Sequence, residues 1–144
     1  MRGYFTLKNK YIEIFIDGGA RGNPGPAGIG VLILDGTGKK LKEVSKYIGE
    51  ATNNIAEYNT LLYGLEEALI LRADQIKINL DSELVAKQLG GEYRVKDENL
   101  RPLFERAVNM LKSFKNFEIN HIVREKNKEA DKLVNKAINL AGLI

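Results

Sequence analysis

Asp17, Glu57, Asp81 and Asp131 are acids placed where an acid has little reason to be. Asp17 closes the apolar run Tyr11-Ile12-Glu13-Ile14-Phe15-Ile16, and Asp81 closes Ile76-Lys77-Ile78-Asn79-Leu80 in the same way. Glu57 lies inside a helical pattern. Asp131 borders the apolar stripe of another, with Val134 and Ile138 on the same side. Four carboxylates brought together repel one another unless divalent cations hold them. Two hard cations about 3.5–4 Å apart are the usual device for hydrolysing a phosphodiester. The chemistry implied is metal-assisted phosphodiester cleavage.

Each acid also has a plainer explanation. Asp17 before Gly-Gly is a common way to start a turn. Asn54 with Glu57 three residues on approximates a capping box, although Ser or Thr is the usual cap. Asp81 before Ser-Glu-Leu would make a good N-cap, and Asp131 an ordinary solvated helix acid. What favours the chemical reading is that all four positions can face the same end of one sheet.

The elements that would place them there follow from pattern. Tyr11–Asp17 is a β-branched and aromatic strand stopping at the glycine cluster Gly18–Pro26. Gly28–Leu34 is a second strand, Asp35-Gly36-Thr37-Gly38 a hairpin turn, and Lys39–Ile48 a third strand. Over Asn53–Ala73 the apolar period changes to three and four, which predicts a helix. Ile76–Leu80 reads as a strand, Ser82–Leu89 as a short helix and Leu100–Phe114 as a helix with Pro102 in its first turn. Phe117–Val123 alternates as a last strand, and Lys126–Leu140 closes with a helix.

The order β-β-β-α-β-α-α-β-α gives an α/β fold, a mixed five-stranded sheet with helices on both faces. If the first and fourth strands are parallel neighbours, Asp17 and Asp81 project from adjacent carboxyl ends, where open α/β sheets place ligands. Residues 1–10 read as an N-terminal extension and 11–144 as the domain.

Composition narrows the classes. A chain of 144 residues with 44% hydrophobic content can bury a core as one domain. It has no cysteine, which removes disulfides, thiolate zinc sites and cysteine nucleophiles. No stretch is long enough to span a bilayer and Met1–Lys10 has no signal-peptide core, so a cytoplasmic location is expected. A net charge of +3 tolerates a polyanionic partner without requiring one.

Four segments carry a resemblance. Phe15-Ile16-Asp17-Gly18-Gly19-Ala20-Arg21-Gly22-Asn23-Pro24-Gly25-Pro26, Thr52-Asn53-Asn54-Ile55-Ala56-Glu57-Tyr58, Asp81-Ser82-Glu83-Leu84-Val85 and Asn127-Lys128-Glu129-Ala130-Asp131 resemble, in order, the signatures of type 1 ribonuclease H. The resemblance covers roughly residues 11–141. It implies the ribonuclease H-like fold and endonucleolytic cleavage of the RNA strand of an RNA/DNA hybrid. It also implies two Mg²⁺ or Mn²⁺ ions, 5′-phosphate and 3′-hydroxyl ends, and action as a monomer. Asp17 would bridge both ions, Glu57 and Asp81 hold the one near the leaving group, and Asp131 the one near the attacking water.

For the substrate, the resemblance assigns Gly18, Gly19 and Arg21 in a bare glycine-rich turn beside the RNA sugar edge, where 2′-hydroxyls can be read. Asn23, Asn53 and Asn54 match minor-groove positions, and Thr52 with Asn53 a pocket for a DNA-strand phosphate. Turn chemistry for Asn23 and capping for Thr52 or Asn53 remain as additional roles. Glu83 stands where relatives often place an RNA-contacting glutamine.

Many relatives carry a histidine in a loop before the last helix. Here Asn120-His121-Ile122-Val123 runs into Arg124-Glu125-Lys126-Asn127 without that loop. His121 reads as a packed structural residue alternating with Phe117, Ile119 and Val123, and Arg124 as the nearest substitute at the site edge. The expected form is short, without a basic protrusion or hybrid-binding module. Two alternatives stay open: a relaxed nuclease that also cuts double-stranded RNA, and a non-catalytic hybrid-binding module.

Overall fold

The computed structural model describes residues 10–142; most of the proposed N-terminal extension lies outside them. Strands β1 (Tyr11–Ala20), β2 (Gly25–Asp35) and β3 (Lys40–Ala51) form an antiparallel meander. Helix α1 (Asn53–Ile70) crosses to β4 (Gln75–Leu80), and α2 (Glu83–Leu89) with α3 (Arg101–Leu111) leads to β5 (Asn116–His121). A single 3-10 turn, Arg124–Lys126, precedes α4 (Lys128–Ala141). The sheet order is β3-β2-β1-β4-β5, with β1–β4 and β4–β5 parallel. The chain reaches β4 from β3 through α1 and β5 from β4 through α2 and α3, the long connections that parallel pairing demands.

Both faces of the sheet are covered. Ile12, Ile14 and Ile16 of β1 alternate into a core shared with Val31, Leu61, Leu65, Ile78 and Leu80, all fully or almost fully buried. Burying one such side chain contributes about 1.5–3 kcal/mol. Gly64 lets α1 approach this surface, since a Cβ there would stand 3.3 Å from both Ile14 and Ile16. On the other face α4 lies against β2, where Gly28 and Gly30 leave no side chains in its way. A Cβ on Gly30 would collide with the Ala130 carbonyl. Ala130, Leu133, Val134, Ala137 and Ile138 make the buried stripe of α4, with the i, i+3, i+4, i+7, i+8 spacing of a core-facing helix.

Several boundaries differ from expectation. Strand β1 does not stop at Asp17: Gly18, Gly19 and Ala20 stay paired with Ile29, Gly28 and Ala27. The partner strand decides the matter over the low strand preference of glycine. The third strand runs to Ala51 because Gly49 (φ 83°) sits beside a register shift in the β2–β3 ladder, so it marks a bulge where an end was expected. Helix α1 ends at Ile70, followed by Arg72 with a left-handed φ of 59°. His121 ends edge strand β5 exposed, with Phe117 of the same strand 47% exposed and Val123, which the expected strand included but which lies beyond its end, 59% exposed. It is therefore no core histidine; alternation alone could not show that helical cover thins out at the sheet edge.

Candidate active site

Register brings the first two acids together. Ile16 pairs with Leu80 as the last step of the parallel β1–β4 ladder, so Asp17 and Asp81 each stand one residue beyond it. Asp17 faces Gly30 across β2, a position without a side chain, so no neighbour from that strand fills the space. Helix α1 then comes in over Gly18, where a Cβ would overlap the carbonyl of Ala56. This approach lets Glu57, only 5% exposed, accept a hydrogen bond from the Gly18 N–H through Oε1.

Ligand oxygens of Asp17, Glu57 and Asp81 lie within 4.8 Å of one another. Asp131, exposed in the first turn of α4, lies outside this trio but has its side chain within hydrogen-bonding reach of Asp17. Its charge still reaches Asp17, and Asn135 one turn on donates to its backbone oxygen at 3.1 Å and to Oδ2 at 3.4 Å.

The structural explanations give way for three of these acids, while Asp131 is indeed an exposed acid of a helix's first turn. The N-cap of α2 is Ser82, whose hydroxyl accepts from Val85 N–H at 3.2 Å, so Asp81 is not needed as a cap. The N-cap of α1 is Thr52, which accepts from Ile55 N–H at 3.2 Å, and Glu57 caps nothing. Asp17 sits inside a strand, where a turn role does not apply.

The electrostatics are those of an uncompensated cluster. Burial, then the Asp81 carboxylate, pushes Asp17 up to about 7 from 3.8. Burial, then Asp17, holds Glu57 well above the ordinary carboxylate range. Among the described residues no lysine, arginine or histidine forms a salt bridge with any of the four acids. Glu57 Oε2 is buried without a hydrogen-bond partner. Hard oxygen donors, one of them orphaned, suit a hard divalent cation.

The acids line a cavity of about 380 Å³. Of the residues anticipated from sequence, Asp17, Gly18, Gly19, Arg21, Asn53, Asn54, Glu57, Asp81, Arg124 and Asp131 line it. Asn23, Thr52 and Glu83 do not. Asn23 acts through Asn53: its Oδ1 accepts the Asn53 N–H at 3.0 Å, while Asn53 Oδ1 accepts from Ala20 N–H at 2.8 Å. Glu83 is exposed and paired with Lys87 at 3.3 Å, which offsets the charge expected to disturb a substrate.

The lining also includes Ser82, Val134, Asn135 and Ile138, which were not anticipated. Asn135 alone had a signal, one helical turn beyond Asp131; its Oδ1 also accepts from Arg21 at 3.3 Å. The glycines expected to form a bare turn instead present a strand edge at Gly18–Ala20, and the chain bends only from Arg21 onward. Lys132 on α4 pairs with Glu129 at 3.8 Å, and neither it nor Lys136 lines the cavity.

This fold is shared with known proteins. A family model described as reverse transcriptase-like matches residues 15–137. The chain is 41% identical over 128 residues to ribonuclease HI of Halobacterium salinarum, covering 89% of this chain and 64% of that relative. The crystal structure of RNase H1 from that archaeon superposes with a TM-score of 0.87 at 40% identity, over 90% of this chain and 98% of that one. LC11-RNase H1 in complex with an RNA/DNA hybrid superposes at 0.85 with 46% identity, over 90% and 98% of the two chains. A ribonuclease H from Syntrophotalea carbinolica is 30% identical over 88% of this chain and 90% of its own length. The chain belongs to the type 1 ribonuclease H family. It spans just under two thirds of the length of the haloarchaeal relative.

Proposed function

We propose that residues 11–144 form a catalytic domain that hydrolyses the RNA strand of RNA/DNA hybrids, leaving 5′-phosphate and 3′-hydroxyl ends. The observation that carries this reading is the trio of carboxylates within 4.8 Å with no cationic side chain to balance it. The hybrid held by LC11-RNase H1, a neighbour at 46% identity, supports the substrate.

Asp17, Glu57, Asp81 and Asp131 would hold the two Mg²⁺ or Mn²⁺ ions that this donor set suits. When bound, such ions lower the pKa of water and stabilise charge developing on the scissile phosphate. The protein's part is to hold its oxygens rigidly. The β1–β4 ladder fixes Asp17 and Asp81 just beyond its last pair, the Gly18 N–H orients Glu57, and Asn135 steadies Asp131. No protein nucleophile is needed.

Gly18–Ala20, with no side chain larger than a methyl, let a ribose edge approach the backbone, which is how a 2′-hydroxyl distinguishes RNA from DNA. Asn53 and Asn54 line the same cavity, and Arg21 and Arg124 bring positive charge to its rim for phosphates. Thr52 and Asn23 act behind them, by fixing the start of α1 and Asn53. Backbone and sugar contacts carry little sequence information, so cleavage at many sites is expected. One chain supplies all four acids, so a monomer suffices.

The test is cleavage of end-labelled RNA/DNA, RNA/RNA and DNA/DNA duplexes with Mg²⁺, Mn²⁺ or chelator. RNA-strand cutting of the hybrid that chelator abolishes supports the reading. Cutting of RNA/RNA as well would widen the substrate class. Hybrid binding without cleavage under either metal would make the domain a binding module.

A further inference from the structure

One side chain beneath the acidic cluster belongs to none of the roles above. Asn127 is 1% exposed and sits at the N-cap of α4. Asparagine is among the preferred capping residues, yet this side chain makes no capping hydrogen bond. It turns inward. Its Nδ2 donates to the carbonyl of Ile16 at 2.8 Å and to Asp81 Oδ2 at 3.3 Å. Its own carbonyl accepts the Asp131 N–H at 3.1 Å. One residue thus touches the peptide that precedes Asp17, the side chain of Asp81 and the backbone of Asp131.

The inward turn has local costs. The first turn of α4 forgoes a side-chain cap, and Asn127 Oδ1 is buried without a hydrogen-bond partner. Both acceptors that Nδ2 serves are oxygens, so the amide cannot flip to satisfy Oδ1 without placing oxygen against oxygen. What the asparagine supplies instead is a two-pronged donor reaching between the central strands.

We propose that Asn127 is a positioning residue of the metal site: its amide fixes the orientation of Asp81 and, with its backbone, anchors the start of α4, and so Asp131, to β1 at Ile16, beside Asp17. This rests on the metal-dependent reading above. Groups that orient metal ligands by hydrogen bonds commonly change metal affinity about 10–100-fold when removed.

The experiment is calorimetric titration of Mn²⁺ into the metal-free protein and its Asn127→Ser variant, without substrate. Serine stays small and polar while both Nδ2 bridges are lost. Mn²⁺ affinity is expected to fall by roughly tenfold or more. In cleavage assays kcat should fall at limiting metal and recover with excess metal, while KM for the hybrid stays unchanged. A folded variant that binds Mn²⁺ as tightly as the parent overturns the inference. Should Asn127→Ser not fold, Mg²⁺ titration of the parent followed by NMR decides. The side-chain amide resonances of Asn127 should move as the site fills, and resonances that stay fixed at saturation overturn the proposal. A parent that binds no divalent cation removes the metal reading and this inference together. A parent that binds and cleaves beside an unaltered variant removes this inference alone.

Discussion

Gly18 and Ala56 are in backbone contact: a single methyl group on Gly18 would occupy the space of the Ala56 carbonyl. The contact sets the depth at which α1 crosses β1, and that depth places the Glu57 carboxylate beside Asp17. Gly18→Ala should therefore push α1 outward, at the 1–3 kcal/mol typical of overpacking. Activity should fall by about 10²-fold, the scale of a 1 Å misplacement of a reacting group. Thermal unfolding and kcat, measured together, check this; a variant with parental kcat would show the contact is not what positions Glu57.

Asp81→Asn should leave the fold intact, because Ser82 and not Asp81 caps α2. Removing one of three crowded carboxylates even relieves repulsion in the metal-free state. Cleavage should drop by roughly 10²–10³-fold, the scale for loss of one group that stabilises transition-state charge. Circular dichroism and hybrid binding should match the parent. Loss of folding would return Asp81 to a structural role.

The raised carboxyls predict an unusual stability profile. Asp17 at about 7 and Glu57 above its ordinary range bind protons more tightly in the folded chain than in the unfolded one. Their contribution is fully present below the ordinary carboxylate range. It is lost as pH rises through about 7, where the charges face one another. Chelated protein should therefore lose Tm between acidic and mildly alkaline pH relative to Asp17→Asn, at roughly 2–4 °C per kcal/mol. Saturating Mg²⁺ should raise Tm more at the alkaline end, where protons no longer compete for the oxygens. Scanning calorimetry of both proteins across pH, with and without Mg²⁺, would show it; parallel profiles would mean the cluster does not repel.

Arg124 is exposed on the cavity rim and makes no salt bridge among the described residues. Arg124→Ala should raise KM for hybrid several-fold and lower the slope of log KM against log salt by about 1, the mark of one lost phosphate contact. The kcat at saturating hybrid should change little. A large fall in kcat with an unchanged salt slope would instead put Arg124 in the chemistry.

The acids were legible because each interrupts a pattern: an apolar strand ending in aspartate, or an acid on the flank of a buried stripe. Element order was legible too, since the period changes cleanly at Asn53. What escaped was set by tertiary partners. Gly18 and Gly19 read as turn residues because their strand character comes from β2 and their bareness serves α1. His121 looked buried because alternation marks a face without saying whether anything covers it. Asn127 looked like any helix start; only the fold reveals that its side chain points away from its own helix.

Helix α4 seats on Gly28 and Gly30 and brings Asp131 last in chain order. During synthesis the sheet's first three strands and Asp17 exist long before that helix emerges. A chain halted before it has at most three of the four acids and a bare strip along β2. Truncation before Lys128 therefore removes the fourth acid and the cover of β2 together.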